Sequence, residues 1–470
     1  MYTLEEANAL NISEIHEIYR NFSNQKLPDI YKRFSFGSEI IERAEGDFLY
    51  TQSGRKILDL TGGLGVANFG HNNPRILDVR KKFVESKRPE IHKSYFNPIL
   101  AAASKNLSEV VGSGLNYSFF CNSGAESIDG ALKISYKRHH GKRKFVLHSN
   151  RSFHGKTLGA GSISAGDNFV GGKSRFFFQK IPGTTAYEFN NFTSIKEECE
   201  RLGTDNVYAI FVEPISCSTL TPCSEQFLKD VRQYCTEHKI TLVFDEIYSG
   251  FGKCGYDFYF HRFGVAPDVI CLSKALGGGK ASISAYVTNE KVYSEAYGTV
   301  GGALTHSTTY NSFGEECATA LECCNILKDC NVAQNAQKLQ SYLSEELNKL
   351  VASSDYPVIE ARGAGSHYGI ILETKLEMFQ GLVELLPIDY TSDPLFMRKL
   401  YTTAVANSLW DKADILVAFT SNMDVILNFS PSPITSVDTL KEHMPKFKEV
   451  LQGNPISMIM KVVKNGLVKI

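Results

Sequence analysis

The chain of 470 residues has no excess of either charge: 50 Lys and Arg stand against 51 Asp and Glu, a formal net charge of −1. A protein that coats nucleic acid carries a basic excess or stripe, and neither is present, so no nucleic-acid partner is expected. The run His139-His140-Gly141-Lys142-Arg143-Lys144 reads as a solvated helix end. No stretch approaches the roughly 20 uncharged apolar residues of a membrane helix, so no membrane partner is expected. The first residues, Met1 to Glu6, are polar and acidic, unlike a secretory leader. The 11 cysteines include no C-x-x-C pair and resemble neither a small disulfide framework nor a zinc ribbon. H-E-x-x-H is missing too, no metal is expected, and reduced thiols in a cytoplasmic protein are the expectation. Internal repeats and Pro-, Gly- or Ser-rich linkers are also missing. What is there is 43% hydrophobic and 21% charged residues, enough apolar surface to offset chain entropy and exclude disorder.

The local pattern carries more. Residues 1–50 are polar with helical patches such as Ser13 to Tyr19, and Phe48-Leu49-Tyr50, Ser53-Gly54 and Lys56 to Leu60 read as a β-hairpin. Five short apolar runs follow: Tyr117–Phe120, Lys144–Leu147, Val207–Val212, Ile240–Phe244 and Val269–Leu272. Their composition suits strands buried on both faces. Helical stretches such as Glu225–Arg232 lie between them, which predicts a mostly parallel sheet flanked by helices. After about residue 330 a long helix (Val332 to Val351) and strand-like Tyr368–Leu372 and Asp424–Asn428 suggest a smaller α+β lobe. The organisation expected is an N-terminal segment 1–60 joining the small lobe, a large unit 61–330 and a C-terminal unit 331–470.

Three places carry candidate chemistry. Asn122-Ser123-Gly124-Ala125-Glu126 precedes a helix whose apolar residues Ile128, Ala131, Leu132 and Ser135/Tyr136 fall at helical spacing. A glycine at a helix start lets N–H groups approach an anion such as a phosphate; the same residues also make an ordinary capping box, Ser123 with Glu126. Asp245 sits at the carboxyl end of a buried strand, where open α/β sheets bind ligands; it can instead cap the next turn. Lys274, after another strand end and before Gly277-Gly278-Gly279, can form a Schiff base if sheltered; it can equally be solvated. Phosphate site, Asp, then Lys 29 residues later is together what pyridoxal phosphate (PLP) requires, with an acid facing its ring nitrogen.

The sequence resembles the class III aminotransferases, PLP enzymes of fold type I that include ornithine, 4-aminobutyrate and putrescine aminotransferases. The likeness runs from about residue 35 to 440 and is carried by Gly62 to His71, Tyr117 to Ser127, Ser152 to Thr157, Glu213-Pro214-Ile215, Asp245 to Gly255, Pro267 to Gly279 and His306 to Tyr310. Tyr117 to Thr157 looks closest to the putrescine branch. The resemblance implies an α/β fold with a large, mostly parallel PLP-binding sheet and a smaller α+β lobe. It implies that Lys274 holds PLP and shuttles a proton, and that Asp245 pairs with the ring nitrogen. Gly124 and Ala125, with Ser123 beside them, would hold the phosphate. Phe153 would stack on the ring with His154 beside it, and Ile247 would pack on the other face. Thr309, or its neighbour Thr308, would bind the phosphate of the other subunit's PLP, implying a homodimer.

The chain also departs from the family. Glu213-Pro214-Ile215-Ser216-Cys217-Ser218 replaces Glu-Pro-Ile-Gln-Gly-Glu, so Ser218 stands for the second acid, and Asn428 stands where relatives carry the Arg that holds a substrate carboxylate. Losing both members of that pair avoids an unpaired buried charge. Leu64, Glu213, Ser218 and Asn428 are the candidate substrate residues, in a pocket unsuited to glutamate. Tyr248 replaces a common Gln near the cofactor's phenolic oxygen, a hydrogen bond a phenol can also give. Lys253-Cys254 replaces Arg-Thr, Asn311 to Gly314 replaces a Gly-Gly-Asn-Pro turn, and Arg362-Gly363 matches a structural turn. Cys121, Cys217, Cys254 and Cys271 read as small apolar fillers. Leu451 to Ile470 is expected as an extra strand or interface segment. The function implied is transfer of an amino group between a small amine or amino acid and a carbonyl. The alternative is an epimerase, decarboxylase or C–C bond-forming enzyme on the same scaffold; intact Lys274, Asp245 and Phe153 argue against a non-catalytic binding protein.

Overall fold

The computed structural model describes residues 1–91, 94–165, 180–311, 313–374, 395–420 and 424–464; Ser312 and the tail 465–470 lie outside the described residues. Near the N-terminus, β1 (Ile41–Glu45), β2 (Phe48–Thr51) and β3 (Lys56–Asp59) form an antiparallel meander. The short strand Ile415–Leu416 adds to β3 in parallel, so distant parts of the chain share this sheet.

The five apolar runs enter a seven-stranded sheet built from β4 (Leu115–Cys121), β5 (Phe145–Ser149), β6 (Thr184–Tyr187), β7 (Val207–Val212), β8 (Thr241–Asp245), β9 (Val269–Leu272) and β10 (Ser284–Asn289). Its order is β4-β10-β9-β8-β7-β5-β6. The strands from β9 to β6 are mutually parallel, and β10 runs against both β9 and β4. Strands β7, β8 and β9 are buried along their whole length, as strands covered on both faces must be. The first run differs. β4 is an edge strand with Asn116 and Tyr117 exposed, so it is not buried on both faces. The sequence pattern missed β6 and β10, the first because it is short and polar, the second because it is a reversed strand among parallel ones.

The Gly124–Arg138 helix buries Ile128, Ala131, Leu132 and Ser135 and turns Tyr136 outward. Past its end, His140, Lys142 and Lys144 are exposed, but Arg143 is not simply solvated. Its guanidinium donates to the carbonyls of Val207 (2.7 Å) and His238 (3.0 Å), tying the loop to the sheet.

A third sheet follows, made of β11 (Val358–Ala364), β12 (His367–Leu372), β14 (Ala418–Phe419) and β15 (Leu427–Phe429), with Ile415–Leu416 counted as β13. The strand expected from Asp424 begins only at Leu427. Arg362 lies within β11 rather than in a turn and pairs with Glu360 and Asp424. The helices Val332–Ala352 and Phe396–Ala413 bury Leu339, Leu343, Leu347, Leu400 and Leu409 in a core that also takes Leu58 and Leu60. The tail joins this core as a helix, Pro455–Val462, and not as a strand: Asn454 caps it, Pro455 fixes its first turn, and Met458, Ile459 and Val462 are buried. Among the described residues no helix is long and apolar enough to cross a membrane.

Candidate active site

The order of the large sheet reverses at β5: β6 lies on one side, while β7, β8 and β9 succeed one another on the other. Open α/β sheets bind ligands in the crevice outside the carboxyl ends of strands at such a reversal. The loops leaving those ends meet in a cavity of about 180 Å³. β5 leads to Phe153 and His154, β7 to Glu213 and Cys217, β8 to Asp245, Ile247 and Tyr248, and β9 to Ser273 and Lys274; Gly124 and Ala125 come from the helix after β4.

Asp245 accepts from the Ile247 N–H (3.0 Å) and lies 2.7 Å from His154 Nδ1. Burial opposes a charge on His154, yet the hydrogen bond and charge of Asp245 raise its pKa above the ordinary value. Glu213 accepts from the N–H groups of Phe153 (3.0 Å) and Cys217 (3.1 Å), and burial raises its pKa. Lys274 faces the cavity with its Nζ 4.0 Å from the centroid of the Tyr248 ring. Burial lowers its pKa, against the nearby Cys217, Asp245 and Glu213. Its φ is +46°, a left-handed conformation that a non-glycine residue rarely takes.

The capping box is formed, and it leaves room for the phosphate-site reading. Ser123 Oγ accepts from the Glu126 N–H (3.3 Å), and the Glu126 carboxylate accepts from the N–H groups of Asn122 and Ser123. The first N–H groups of the helix proper, at Gly124 and Ala125, have no acceptor among the described residues and open on the cavity. A Cβ at Gly124 would fall 3.0 Å from Ile247 Cδ1, so only glycine leaves this approach open. Anion-ready N–H groups, an amine that sheds its proton easily, and a carboxylate with a fixed histidine are the donor set a phosphorylated pyridine aldehyde needs. The residues present fit PLP.

Several expected residues stand elsewhere. Ser218 is buried behind the wall, and Cys217 lines the cavity in its place, so that thiol is more than a filler. Asn428 is half-buried on β15 opposite Gly369 and Ala418, off the wall, with its Oδ1 buried and unpartnered among the described residues. Leu64 is 64% exposed at a φ of +59°. Thr308 and Thr309 are likewise off the wall of this chain's own cavity. Sequence reasoning missed Ser430 and His367, which back the cavity through Tyr248: the Tyr248 hydroxyl is 2.9 Å from Ser430 Oγ, itself 3.0 Å from His367 Nδ1. No local motif signals them, because they are brought there from another sheet.

A family model described as Aminotransferase class-III matches residues 35–387. The chain is 32% identical over 372 residues to the putrescine aminotransferase of Pectobacterium atrosepticum, covering 77% of each. Among solved structures, the ornithine aminotransferase of Toxoplasma gondii ME49 is similar at a TM-score of 0.77 and 20% identity, over 99% of this chain and 100% of that one. An S-selective transaminase from Arthrobacter sp. gives 0.79 at 18% identity, over 94% and 98%. These two structures show the shared fold. The stretch matched by the family model includes the whole large sheet and every loop at its carboxyl edge, and so the chain belongs to the class-III aminotransferases and is a PLP-dependent transaminase of fold type I.

Proposed function

We propose that this transaminase takes nitrogen from a small primary mono- or diamine with no carboxylate beside the reacting carbon and passes it to a carbonyl acceptor. The supporting observation is the charge of the cavity wall: Lys274 is its one lysine or arginine among the described residues. Ser218 and Asn428, where relatives hold a Glu and an Arg, add no charge for a carboxylate to meet. The relative named for putrescine, a diamine, fits the same reading.

When bound, PLP supplies the electron sink that makes a carbon next to nitrogen acidic. In this reading Lys274 Nζ anchors it and takes up and returns the carbon proton. Asp245, oriented by His154, faces the ring nitrogen. The Gly124 and Ala125 N–H groups hold the phosphate beside Ser123, and Phe153 and Ile247 enclose the ring. Glu213 acts one step back, holding the Phe153 and Cys217 backbone, while Leu64 and Asn428, off this wall, would meet only the part of a substrate that reaches beyond it. Residues 61–330 form the cofactor-holding unit, with 1–60 and 331–470 closing the substrate side; the core shared by Leu58, Leu60 and the C-terminal helices supports this division.

The working form in this reading is a homodimer in a reducing, cytoplasmic setting. Exposed Phe96 and Leu304 line a surface cavity with Ser307 and Asn311, which flank Thr308 and Thr309 in the chain; the role of those threonines is then the other subunit's phosphate, and all 11 cysteines are free thiols. The experiment is a donor screen read by the cofactor's visible spectrum without acceptor. Diamines and simple amines are expected to convert the band at least about tenfold faster than glutamate, a difference of about 1.4 kcal/mol. Equal speed with glutamate overturns the substrate reading.

A further inference from the structure

Tyr248 stands where the family commonly has Gln, and its surroundings give it a different task. The hydroxyl is occupied by Ser430 Oγ at 2.9 Å, and the His367 ring lies 4.4 Å from the phenol ring. Ser430 is itself immobilised: its N–H donates to the Leu60 carbonyl (2.7 Å), its carbonyl accepts from Lys253 Nζ (3.0 Å), and its Oγ meets His367 Nδ1 (3.0 Å). Gly65 closes another side, since a Cβ there would fall 3.0 Å from the phenol ring. What remains open is the ring face, and Lys274 Nζ sits 4.0 Å from its centroid, inside the ~6 Å within which an aromatic face attracts a cation.

We propose that Tyr248 is a positioning residue for Lys274: clamped by Ser430 and His367, it presents its ring face, and not its hydroxyl, to the reacting nitrogen and favours that nitrogen's cationic form. The proposal rests on the transaminase reading, in which Lys274 carries the cofactor. Other charged or titratable groups also face this nitrogen. Asp245 comes from the end of β8, with His154 bonded to it from the loop after β5. Glu213 and Cys217 come from the loop after β7. Lys253 comes from the segment beyond Tyr248, and His367 from the start of β12. The acids favour the cation and Lys253 opposes it, so the ring acts on a balance already set by charges.

The test is the pH at which the visible band of the PLP-loaded enzyme changes, which reads protonation of the nitrogen joining Lys274 to the cofactor. Tyr248→Gln and Tyr248→Leu are expected to lower that midpoint by about half a unit, roughly threefold in proton affinity. Leu keeps the buried apolar volume if Gln compromises folding. Tyr248→Phe keeps the ring and is expected to stay within about 0.2 unit of the parent. Ser430→Ala is expected to move the midpoint the same way as Gln, but less far. A Phe shift equal to the Gln shift overturns the proposal in favour of the hydroxyl, and unchanged Gln and Leu midpoints overturn it outright. An unchanged Ser430→Ala midpoint overturns the clamp. Failure of the parent enzyme to develop any visible band on addition of PLP would instead overturn the transaminase reading.

Discussion

The two walls of the active-site cavity are built on different terms. On the cofactor side, groups sit at the ends of buried parallel strands, and their charges are matched. Asp245 meets His154 and an N–H, and Glu213 meets two N–H groups. On the side behind Tyr248, which in our proposal faces the substrate, the residues come from loops and the short strands of the small sheet. Ser218 and Asn428, both set back from the cavity itself, are neutral, and Lys253 donates to the carbonyls of Ser430 and Pro431. Unpartnered buried atoms occur on both sides, His154 Nε2 on the first and Asn428 Oδ1 and His367 Nε2 on the second. Cofactor chemistry is shared by the family and demands fixed charge. In the proposed substrate reading the charged pair is lost as a pair, which leaves no buried charge unpaired.

Breaking the cofactor side should give the largest effects. Lys274→Ala is expected to abolish the visible PLP band and lower turnover by about 10³-fold or more, since in the proposed mechanism both anchor and proton carrier are lost; absorbance and steady-state kinetics check it. Asp245→Asn keeps the shape and removes the charge. It should retain bound PLP while slowing turnover roughly 10²–10³-fold, seen as a normal band with a depressed single-turnover rate.

The substrate side should respond in stability. Lys253 is fully buried, and burial pushes its pKa down from 10.5 to about 7. The folded chain therefore sheds this proton before the unfolded chain does. Between about pH 7 and 10.5 the unfolded state binds more protons, so this group makes stability rise with pH there, by at most about 1.4 kcal/mol per unit. Below that window both states are protonated and the cost of the buried cation is felt in full. Urea denaturation across the window should show the slope in the parent and its loss in Lys253→Met; equal slopes refute the assignment. The smallest effect is expected at Ser123→Ala, which removes the helix cap for about 1 kcal/mol and weakens PLP binding only a few-fold, measurable by calorimetry and cofactor titration.

Much of the cofactor side is legible in the order of residues. Val207–Val212, Thr241–Asp245 and Val269–Leu272 are continuous apolar runs, and a strand buried on both faces leaves that trace. Asp245 and Lys274 follow directly from the ends of such runs. Strand β10 is not legible, because reversal of direction in a sheet leaves no mark on composition. The tail differs again: Asn454-Pro455 is a helix start signal, yet the apolar residues after it suit a strand as well, and burial against the small-lobe core favours the helix.

Local chemistry is enough to say which strands are central and which residues stand at the strand ends and helix start around the cavity, because strand ends and helix starts have local causes. Long-range packing alone puts Cys217 and not Ser218 on the cavity wall, and joins Leu58 to a core with Leu400. It brings Ser430 and His367 behind Tyr248 and seals Lys253 among carbonyls. Tyr248 and Ser430 stand 182 positions apart along the chain. Hydrophobic periodicity, which sets the elements, says nothing about which distant elements will meet.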